Sequence, residues 1–478
     1  MTRFRALLVV CLVLGAGGLA AEQSHDQRRL NIESFEKVWT TIRDKHWDPK
    51  LGGLDWQAIH DEFRPQIEAA NSRAQVRSLM DSMVSRLGQS HFAIIPVEVY
   101  KEIEPQPKPN KDTEKPGSEV PRTGSEPGAK PKAKESSGSP PPAPDKSSTE
   151  SRAASDVFVA GTPGFDVCVV DGEALVTSVD PASPASAKEV RSGWQLLKID
   201  GKALAPILRQ VGESFKESSM KDRMMLRAVV SRLEGKVGEN LRVEFLTGED
   251  KIVELEIPRA EPKGARARFG HLPVQNVWFE SRKLDGAGYI AFNIFLDPAN
   301  LMVAFEKAVR SFMQADGVII DLRGNPGGIG VMAMGMAGWF IDRPDQRLGV
   351  MHTRQTSLKF VVTPRVETYS GPLAILVDGG SASTSEIFAG GMKDLGRARI
   401  FGALTPGAAL PSVVEELPNG DRFQYAFANY ISEGGKALEG NGVSPDVEVI
   451  PTREALRRGR DPVIEAALDW IRAQKKPL

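Results

Sequence analysis

The chain has 478 residues, of which 41% are apolar and 26% are charged, with 61 basic and 62 acidic side chains. That length is enough for about three compact domains with ordinary apolar cores. A net charge of −1 excludes the basic surface that nucleic-acid binding needs, and 7% aromatic residues leave few rings on which single strands stack.

The first 21 residues (1–21) predict a cleaved secretory signal. Arg3 and Arg5 precede an apolar run over 6–21 that ends in small residues and is too short to be a good membrane span. An uncleaved anchor is the alternative. Cleavage would remove Cys11 and leave Cys168 without an intramolecular disulfide partner, so Cys168 is interpreted as a small core residue. We therefore expect a periplasmic or extracellular protein without a stable membrane span.

Residues 22–98 predict an N-terminal helical domain, because apolar residues recur at helical spacing from 28 to about 96. Residues 99–156 have a different composition. From 101 to 156 there is no aromatic residue, and the segment holds 11 of the 33 prolines of the chain. Such a segment buries too little apolar surface to offset its ordering entropy, so we predict a disordered linker.

Residues 157–262 predict a small β-rich domain. Short strand patterns separated by turn residues recur at 167–170, 174–179, 195–199, 241–245 and 252–257. Two helical patterns lie between these strands, at 182–190 and 204–233.

Residues 263–454 predict an α/β core. Strand patterns at 288–295, 317–322 and 373–377 alternate with helical patterns at 298–313, 330–340 and 384–395. This alternation is typical of helices packed on a mainly parallel sheet. The last segment, 455–478, predicts an amphipathic C-terminal helix over 463–470.

Two strand–glycine–helix junctions carry candidate chemistry, and the first is 321–330. Its glycines let backbone amides face an anionic centre without an intervening Cβ. Residues 328–333 formally match a dinucleotide fingerprint, but Pro326 interrupts the turn and no acidic residue ends a second strand about 20 positions later. A structural turn and an oxyanion-binding turn are the two remaining alternatives.

The second junction, 377–388, places Ser383 between the end of a strand and the start of a helix. Helix amides and the helix dipole favour negative charge there, and the amide of the next residue can bind a developing oxyanion. Ser383 and Glu386 also have the spacing of a capping box. The local sequence leaves a nucleophile and a helix cap as equal alternatives.

His91, which follows Ser90, is a candidate general base because imidazole titrates near neutrality. Glu439 is a candidate to orient that imidazole. For each residue taken alone, a structural histidine or an ordinary loop acid is the simpler interpretation.

Three motifs taken together, at 321–328, 380–386 and 440–446, resemble the serine peptidases that include the C-terminal processing (tail-specific) proteases and the core of the tricorn protease. The resemblance covers nearly the whole chain apart from the signal and the linker. It implies an α/β catalytic core with a crotonase- or Clp-protease-like layered fold, an N-terminal helical domain, and no metal or cofactor.

The middle domain resembles a PDZ module through 164–167 and 193–201. The resemblance implies that Gly164, Phe165, Asp166 and Val167 receive the C-terminus of a polypeptide by strand addition. The helical insertion at 204–233 is longer than is usual in such a module.

By its place in the family motif, Ser383 matches the nucleophile. The resemblance implies that the amide of Thr384, with that of Gly327 or Gly328, forms the oxyanion hole. Hydrolysis would then pass through an acyl-enzyme.

The general base separates two branches of the family. The tail-specific branch uses a lysine at the position of Ala408, and an alanine cannot take a proton. The tricorn-like branch uses a histidine, a neighbouring serine and a glutamate, which His91, Ser90 and Glu439 match. The resemblance therefore implies an exported serine endopeptidase of Ser-His-Glu type that captures polypeptide C-termini. A catalytically silent peptide- or ligand-binding protein on the same fold is the alternative.

Overall fold

The structure is a computed structural model that describes residues 25–98 and 160–474. The signal predicted at 1–21, with Cys11, and the linker predicted at 99–156 lie outside these residues. The described chain forms a helical unit, then a β-rich middle unit, then a core of helices and sheets. In these two ranges, no helix combines the length and the apolar character needed to cross a membrane.

The N-terminal unit consists of three helices, α1 (His25–Lys45), α2 (Trp56–Ala69) and α3 (Arg73–Ser85). The side chains of Asp55 and Ser72 cap α2 and α3 by accepting hydrogen bonds from backbone amides three residues later. The apolar stripe predicted from the spacing is buried between the helices, at Phe35, Val38, Ile42, Ile67, Met80 and Met83.

The helical pattern expected up to about residue 96 ends earlier than predicted. Residues Ala93–Ile95 form a strand, β1, that pairs antiparallel with residues 422–424 of the distant core. The amide of Ile94 also donates to the carboxylate of Asp81. Because both partners lie far along the chain or on another element, the local apolar pattern of β1 does not distinguish a strand from a helix.

The middle unit contains a six-stranded sheet in which β2 forms one edge. Its elements are β2 (Phe165–Val170), β3 (Glu173–Val179), α4 (Pro184–Ala187), β4 (Gln195–Ile199), β5 (Lys202–Ala203), α5 (Leu204–Ser214), α6 (Lys221–Leu233), β6 (Asn240–Leu246) and β7 (Ile252–Pro258). The helical pattern expected at 204–233 divides into α5 and α6, and the pattern at 182–190 is reduced to the single turn α4.

The core contains the remaining elements of the described chain. They are β8 (Ala265–Ala267), β9 (Gln275–Val277), β10 (Phe279–Leu284), β11 (Ala287–Phe292), α7 (Pro298–Ser311), β12 (Val318–Asp321), α8 (Gly330–Ala337), β13 (Arg347–Thr353), β14 (Ser357–Val361), β15 (Leu373–Val377), α9 (Thr384–Asp394), β16 (Arg399–Gly402), β17 (Ser412–Glu416), β18 (Arg422–Ala426), β19 (Ala428–Ser432), β20 (Val447–Glu448), α10 (Arg453–Arg457) and α11 (Pro462–Gln474).

The main sheet has the strand order β10-β11-β12-β15-β16-β20, and all of its pairs are parallel except β10 with β11. Alternate side chains of a strand face opposite layers, so Ile320 packs with α7, α8 and α9, whereas Ile319 packs with α11. Both faces of the sheet are therefore buried, which explains the continuous apolar runs of its central strands.

Two adjacent parallel strands, β12 and β15, position the candidate site. Because they run in the same direction, the loops that follow them meet at one edge of the sheet. These loops, 322–329 and 378–383, are the two glycine-rich junctions found in the sequence.

A buried carboxylate joins the N-terminal unit to the core. Asp421, between β17 and β18, is fully buried and accepts hydrogen bonds from Arg73, from Arg77 and from the amide of Val97. Together with the pairing of β1 and β18, this ion cluster holds the chain that follows His91 against the core.

Candidate active site

Ser383 lies in the sharp turn between β15 and α9 and is half-buried. Its backbone has φ 56° and ψ −117°, a conformation that is strained for a residue with a Cβ. The amide of Ser383 donates to the carboxylate of Glu386 at 2.9 Å and to the carbonyl of Ala408 at 2.9 Å. The Ser383 and Glu386 pair thus forms the capping box that the sequence predicts. These contacts hold the strained turn and present the serine at the edge of the sheet.

The loop 322–329 packs directly against this turn. The side chain of Asn325, fully buried, donates to the carbonyl of Phe292 at 2.8 Å and accepts from the amide of Gly327 at 3.0 Å. Gly327 has φ 98°, and a Cβ at this position would lie 2.7 Å from the Cβ of Ser383 and 2.7 Å from the amide nitrogen of Thr384. Only glycine fits there.

The amides that the resemblance assigns to the oxyanion hole differ in whether they already donate a hydrogen bond within the protein. The amide of Gly327 is already bonded to the side chain of Asn325. Among the hydrogen bonds of residues 25–98 and 160–474, none uses the amide of Gly328 or that of Thr384, and the Thr384 hydroxyl donates to the Gly328 carbonyl at 2.8 Å. Of the two glycines that the sequence leaves open, Gly328 is therefore the one with an amide available for a ligand.

The candidate base and its two partners form a hydrogen-bonded chain. Ser90 Oγ donates to Oε2 of Glu439 at 2.8 Å and lies 2.6 Å from Nδ1 of His91. The amide of Ser90 donates to Oε1 of Glu439 at 2.7 Å. With Glu439 ionised, the single hydroxyl proton of Ser90 goes to the carboxylate, so His91 Nδ1 carries a proton and Nε2 has a free lone pair.

The environment of His91 favours the neutral imidazole. Burial, and then the positive charge of Arg223, lowers the pKa of His91 to about 4. The residue also has φ 63°, a left-handed conformation that is uncommon outside glycine. Two residues of the proposed machinery, His91 and Ser383, are thus held in strained backbone conformations.

The segment 405–409 connects the nucleophile side to the base side. Buried Glu386 accepts hydrogen bonds from the Thr405 hydroxyl at 2.6 Å and from the Gly407 and Ala408 amides at 2.8 and 3.0 Å. The next amide, that of Ala409, donates to Oε2 of Glu439 at 3.1 Å. Consecutive residues of one segment therefore hold the supports of both sides.

The hydrogen bond between the candidate nucleophile and the candidate base is absent from the described residues. Among the described residues, no hydrogen bond joins Ser383 Oγ to the ring of His91. Such contacts often tighten only when substrate is bound. The shared supports nevertheless bring Ser383, His91, Ser90 and Glu439 to one locality.

Burial also acts on the two carboxylates of this locality. It raises the pKa of Glu386 to about 7, and it raises the pKa of Glu439 above its usual value. In both cases the hydrogen bonds that the carboxylate accepts oppose the shift. Of these two residues, only Glu439 was a candidate from the sequence. The role of Glu386 as a support for two segments is visible only after folding, because the segment 405–409 lies in a different loop.

The four candidate peptide-binding residues lie at the open edge of the middle unit. Gly164 directly precedes the edge strand β2, and Phe165, Asp166 and Val167 begin it. All four line a cavity of about 1590 Å³ between the middle unit and the core. A Cβ on Gly164 would lie 2.1 Å from the side chain of Ser183, so this position requires glycine. The cavity extends to the loops that follow β12 and β15.

Two other observations bear on ligands. Among the described residues, no group of three or more His, Cys, Asp or Glu side chains is placed to hold a metal ion. Burial raises the pKa of Cys168 to about 12, which disfavours the thiolate. Cys168 is half-buried in β2 and lines the cavity, so, contrary to the prediction from the sequence, it is not among the buried core residues of the middle unit.

Comparisons with known proteins agree with the motifs. Residues 286–449 match the model of peptidase family S41, and residues 32–85 match that of the tricorn protease C1 domain. A probable CtpA-like serine protease of Staphylococcus haemolyticus (strain JCSC1435) is 27% identical over 289 residues, 60% of this chain and 52% of the relative. One from Staphylococcus aureus (strain COL) is 26% identical over 312 residues, 62% and 56% of the respective lengths. This chain thus spans about half the length of the curated relatives it matches.

Solved structures show the same fold. The photosystem II D1 C-terminal processing protease is 19% identical with a TM-score of 0.52, covering 92% of this chain and 99% of that chain. Mature CPAF is 13% identical with a TM-score of 0.58, covering 95% and 99%. The family-model and sequence matches agree with the family predicted from the three motifs. The solved structures show its mixed helix-and-sheet fold with an N-terminal helical region.

Proposed function

Because this chain belongs to peptidase family S41, we propose that it is an exported serine endopeptidase in which Ser383 is the nucleophile and His91 is the general base. The observation that carries this proposal is the position of Ser90 Oγ, which joins His91 Nδ1 at 2.6 Å to Glu439 at 2.8 Å. This arrangement leaves His91 Nε2 as a proton acceptor.

In the proposed acylation step, Ser383 Oγ attacks the carbonyl carbon of a peptide bond and its proton passes to His91 Nε2. The amides of Thr384 and Gly328 stabilise the oxyanion that forms. Glu439, acting through Ser90, stabilises the imidazolium. His91 then gives its proton to the leaving amine, and water hydrolyses the ester on Ser383 by the reverse sequence.

The low basicity of His91 favours the transfer of its proton to the leaving amine. An imidazole with a pKa near 4 is neutral at pH 7, so it is ready to accept a proton, and its cationic form is a strong acid toward the leaving amine. The same low pKa makes His91 a weaker base when it takes the proton of Ser383. Substrate binding is expected to reduce this cost if it neutralises Arg223.

We further propose that the middle unit acts as a PDZ-like module that captures polypeptide C-termini. Support comes from the edge of β2 that no other strand pairs with in the described sheet, and from the cavity that leads from Gly164, Phe165, Asp166 and Val167 toward the core. An extended peptide can add to such an edge through its backbone, while its last side chain enters an apolar pocket.

A second candidate is a peptide-binding protein of the same fold without turnover. Ala408 favours it, because this residue occupies the position of the lysine base in the tail-specific branch and its buried side chain has no proton acceptor. The two candidates differ in one measurable property, the reactivity of the Ser383 hydroxyl.

The test is labelling of the full chain with a fluorophosphonate that acylates activated serines. We expect labelling of the unmodified protein at Ser383 and loss of labelling in His91→Ala. His352→Ala is the matched control, since His352 is an exposed histidine on β13, and it should label normally. Unlabelled protein that still binds peptides would contradict the peptidase and support the silent binder.

A further inference from the structure

The helical insertion of the middle unit contacts the candidate active site directly. Ser219, just before α6, donates to the carbonyl of Pro406 at 2.6 Å. Arg223, in the first turn of α6, donates through Nη1 to the carbonyl of Gly380 at 3.3 Å. Pro406 and Gly380 belong to the two segments that flank Ser383. The insertion, which is unusually long for a PDZ-like module, therefore forms part of the wall of the site.

Arg223 is a cation without a matching anion. Among the described residues, no carboxylate oxygen lies within 4.0 Å of its guanidinium, and its one hydrogen bond to protein is the long contact with Gly380. Burial and the neighbouring charge of Arg227 lower the pKa of Arg223. A guanidinium offers five donors, so most of its hydrogen-bonding capacity is unused.

The two negative charges that act on Arg223, those of Asp378 and Glu386, are held by other hydrogen bonds. Asp378 Oδ1 accepts from the amides of Gly324 and Gly380, both at 2.8 Å. Glu386 is held by Ser383 and by the segment 405–408. Both carboxylates favour the cation through space, but neither contacts it. A half-buried cation in this position is suited to an anion supplied by a ligand.

The position of Arg223 relative to His91 indicates which part of a substrate would supply that anion. The guanidinium bonds to the carbonyl of Gly380, in the loop that leads to Ser383, and from that position its positive charge lowers the pKa of His91. In the proposed mechanism His91 delivers a proton to the leaving nitrogen, so groups beside His91 face the leaving peptide rather than the acyl part.

We propose that Arg223 forms a carboxylate-binding subsite on the leaving-group side of the scissile bond. This inference rests on the proposed peptidase function. The carboxylate has two possible sources, the C-terminus of a short leaving peptide and the side chain of an aspartate or glutamate just after the scissile bond. Either source would make a charge-assisted, bidentate contact with the guanidinium.

Occupation of the subsite would also act on the base. A carboxylate bound to Arg223 cancels part of the positive charge beside His91, so the imidazole becomes a better proton acceptor when the correct substrate is present. The other charges that face this region are Arg227 on α6 and Asp378 and Glu386 from the core. They are present in both the free and the bound states.

The experiment starts from a peptide whose cleavage by the full chain has been mapped. Four versions share the acyl side: a short leaving peptide with a free C-terminus, its C-terminal amide, the amide with glutamate after the scissile bond, and the amide with glutamine there. Each is tested with the unmodified protein, with Arg223→Gln, and with Arg227→Gln as the matched control. Arg227 is exposed one turn further along α6.

We expect kcat/KM to favour at least one carboxylate version over its neutral counterpart by about tenfold or more, the size of one charge-assisted contact. Arg223→Gln should abolish that preference and Arg227→Gln should keep it. The pair that shows the preference identifies the source of the carboxylate. Equal cleavage of all four versions would overturn the proposal. Faster cleavage of all four peptides by Arg223→Gln would also overturn it, because the Arg223 side chain would then obstruct the site and not bind substrate.

Binding to Ser383→Ala separates this inference from the proposed function. Fluorescence anisotropy of the same four peptides measures affinity without turnover. A carboxylate preference that disappears in Ser383→Ala combined with Arg223→Gln supports the subsite even if the unmodified protein hydrolyses nothing, in which case only the peptidase proposal fails. Hydrolysis without any carboxylate preference, in rate or in affinity, leaves the peptidase intact and removes the subsite.

Discussion

Ser383 and the loop packed against it come from two adjacent strands of one sheet, whereas Ser90 and His91 come from the N-terminal unit and meet Glu439 349 positions along the chain from Ser90. On the first side, short glycine-rich segments and backbone amides make the geometry. On the side of the base, the geometry depends on contacts between side chains from segments that are distant in the chain. The nucleophile side is therefore fixed by the sheet, and the base side depends on how the N-terminal unit docks.

This contrast predicts different sensitivities to mutation. A change in the nucleophile loops should act through sterics at the backbone, with a large effect. A change at the base side should act through orientation of one ring, with graded effects. The following variants, from the largest expected effect to the smallest, test that difference.

Gly327→Ala should have the largest effect. The added Cβ would lie 2.7 Å from the Ser383 Cβ and from the Thr384 nitrogen, and φ is 98°. We expect kcat/KM to fall by about 10³-fold, since the turn and the oxyanion-binding amides must shift together. Gly324→Ala is the control: this glycine lies in the same loop at φ 70°, but a Cβ there meets nothing within 4 Å. Similar losses in both variants would mean that backbone strain, and not the packing against Ser383, controls activity.

Glu439→Gln should have a smaller effect on kcat. One glutamate oxygen accepts from the Ser90 amide and the other accepts from the Ser90 hydroxyl and the Ala409 amide. In glutamine an NH2 group replaces one of the two oxygens, and it cannot accept a hydrogen bond from the Ser90 amide, the Ser90 hydroxyl or the Ala409 amide. Ser90 and His91 therefore lose their alignment. We expect kcat to fall by about 10²-fold with little change in KM. A change confined to KM would contradict the orienting role of Glu439.

These two sites also show how much the sequence could predict. The three motifs suffice for the family and for Ser383 as a candidate nucleophile, because short glycine-rich turns are local in the chain. The two strand patterns that precede these turns were predicted to end at 322 and 377, and the strands end at Asp321 and Val377. The capping box of Ser383 and Glu386 is local as well. His91 and Glu439 were candidates from their residue types, but taken alone each had a simpler structural interpretation. The family resemblance made them the preferred base and its partner, since nothing in either segment indicates that they meet.

Other features depend on packing that no short motif records. The strand β1 has three apolar residues, and its partner lies in the distant core. Several strands of the core, among them β13, β14 and β17 to β19, were not predicted at all. The approach of Arg223 to the site depends on where α6 packs, and its sequence context is that of an ordinary amphipathic helix. The sequence therefore predicts local turns well and contacts between units poorly.

Asp421→Asn should weaken the contact between the N-terminal unit and the core without changing a residue of the candidate active site. Asp421 is fully buried and neutralises Arg73 and Arg77, so the uncharged amide should lower the free energy of unfolding by about 3 kcal/mol. Because the same cluster holds the chain after His91, we also expect a few-fold lower kcat in molecules that remain folded. Chemical denaturation and active-site titration measure the two effects separately. Glu33→Gln, which removes a surface ion pair with Arg29, should leave both unchanged.

The smallest expected effect is the change in activity near pH 7, which separates the nucleophile side from the base side. The pKa of Glu386 is raised to about 7 and that of His91 is lowered to about 4, in both cases chiefly by burial. Protonation of Glu386 weakens the hold on the Ser383 amide but leaves the carboxyl group able to accept hydrogen bonds. As the pH falls through 7, kcat/KM should therefore drop only a few-fold. Protonation of His91 removes the base itself, so the remaining activity should disappear as the pH falls through about 4.

Glu386→Gln distinguishes the two steps, because it removes the titration near pH 7 and leaves the one near pH 4. Circular dichroism over the same pH range controls for acid unfolding. A complete loss of activity near pH 6.5, at the ordinary pKa of histidine, would show that His91 is solvated in the working enzyme. The docking of the N-terminal unit and of α6 would then differ from the arrangement that places Arg223 beside the imidazole.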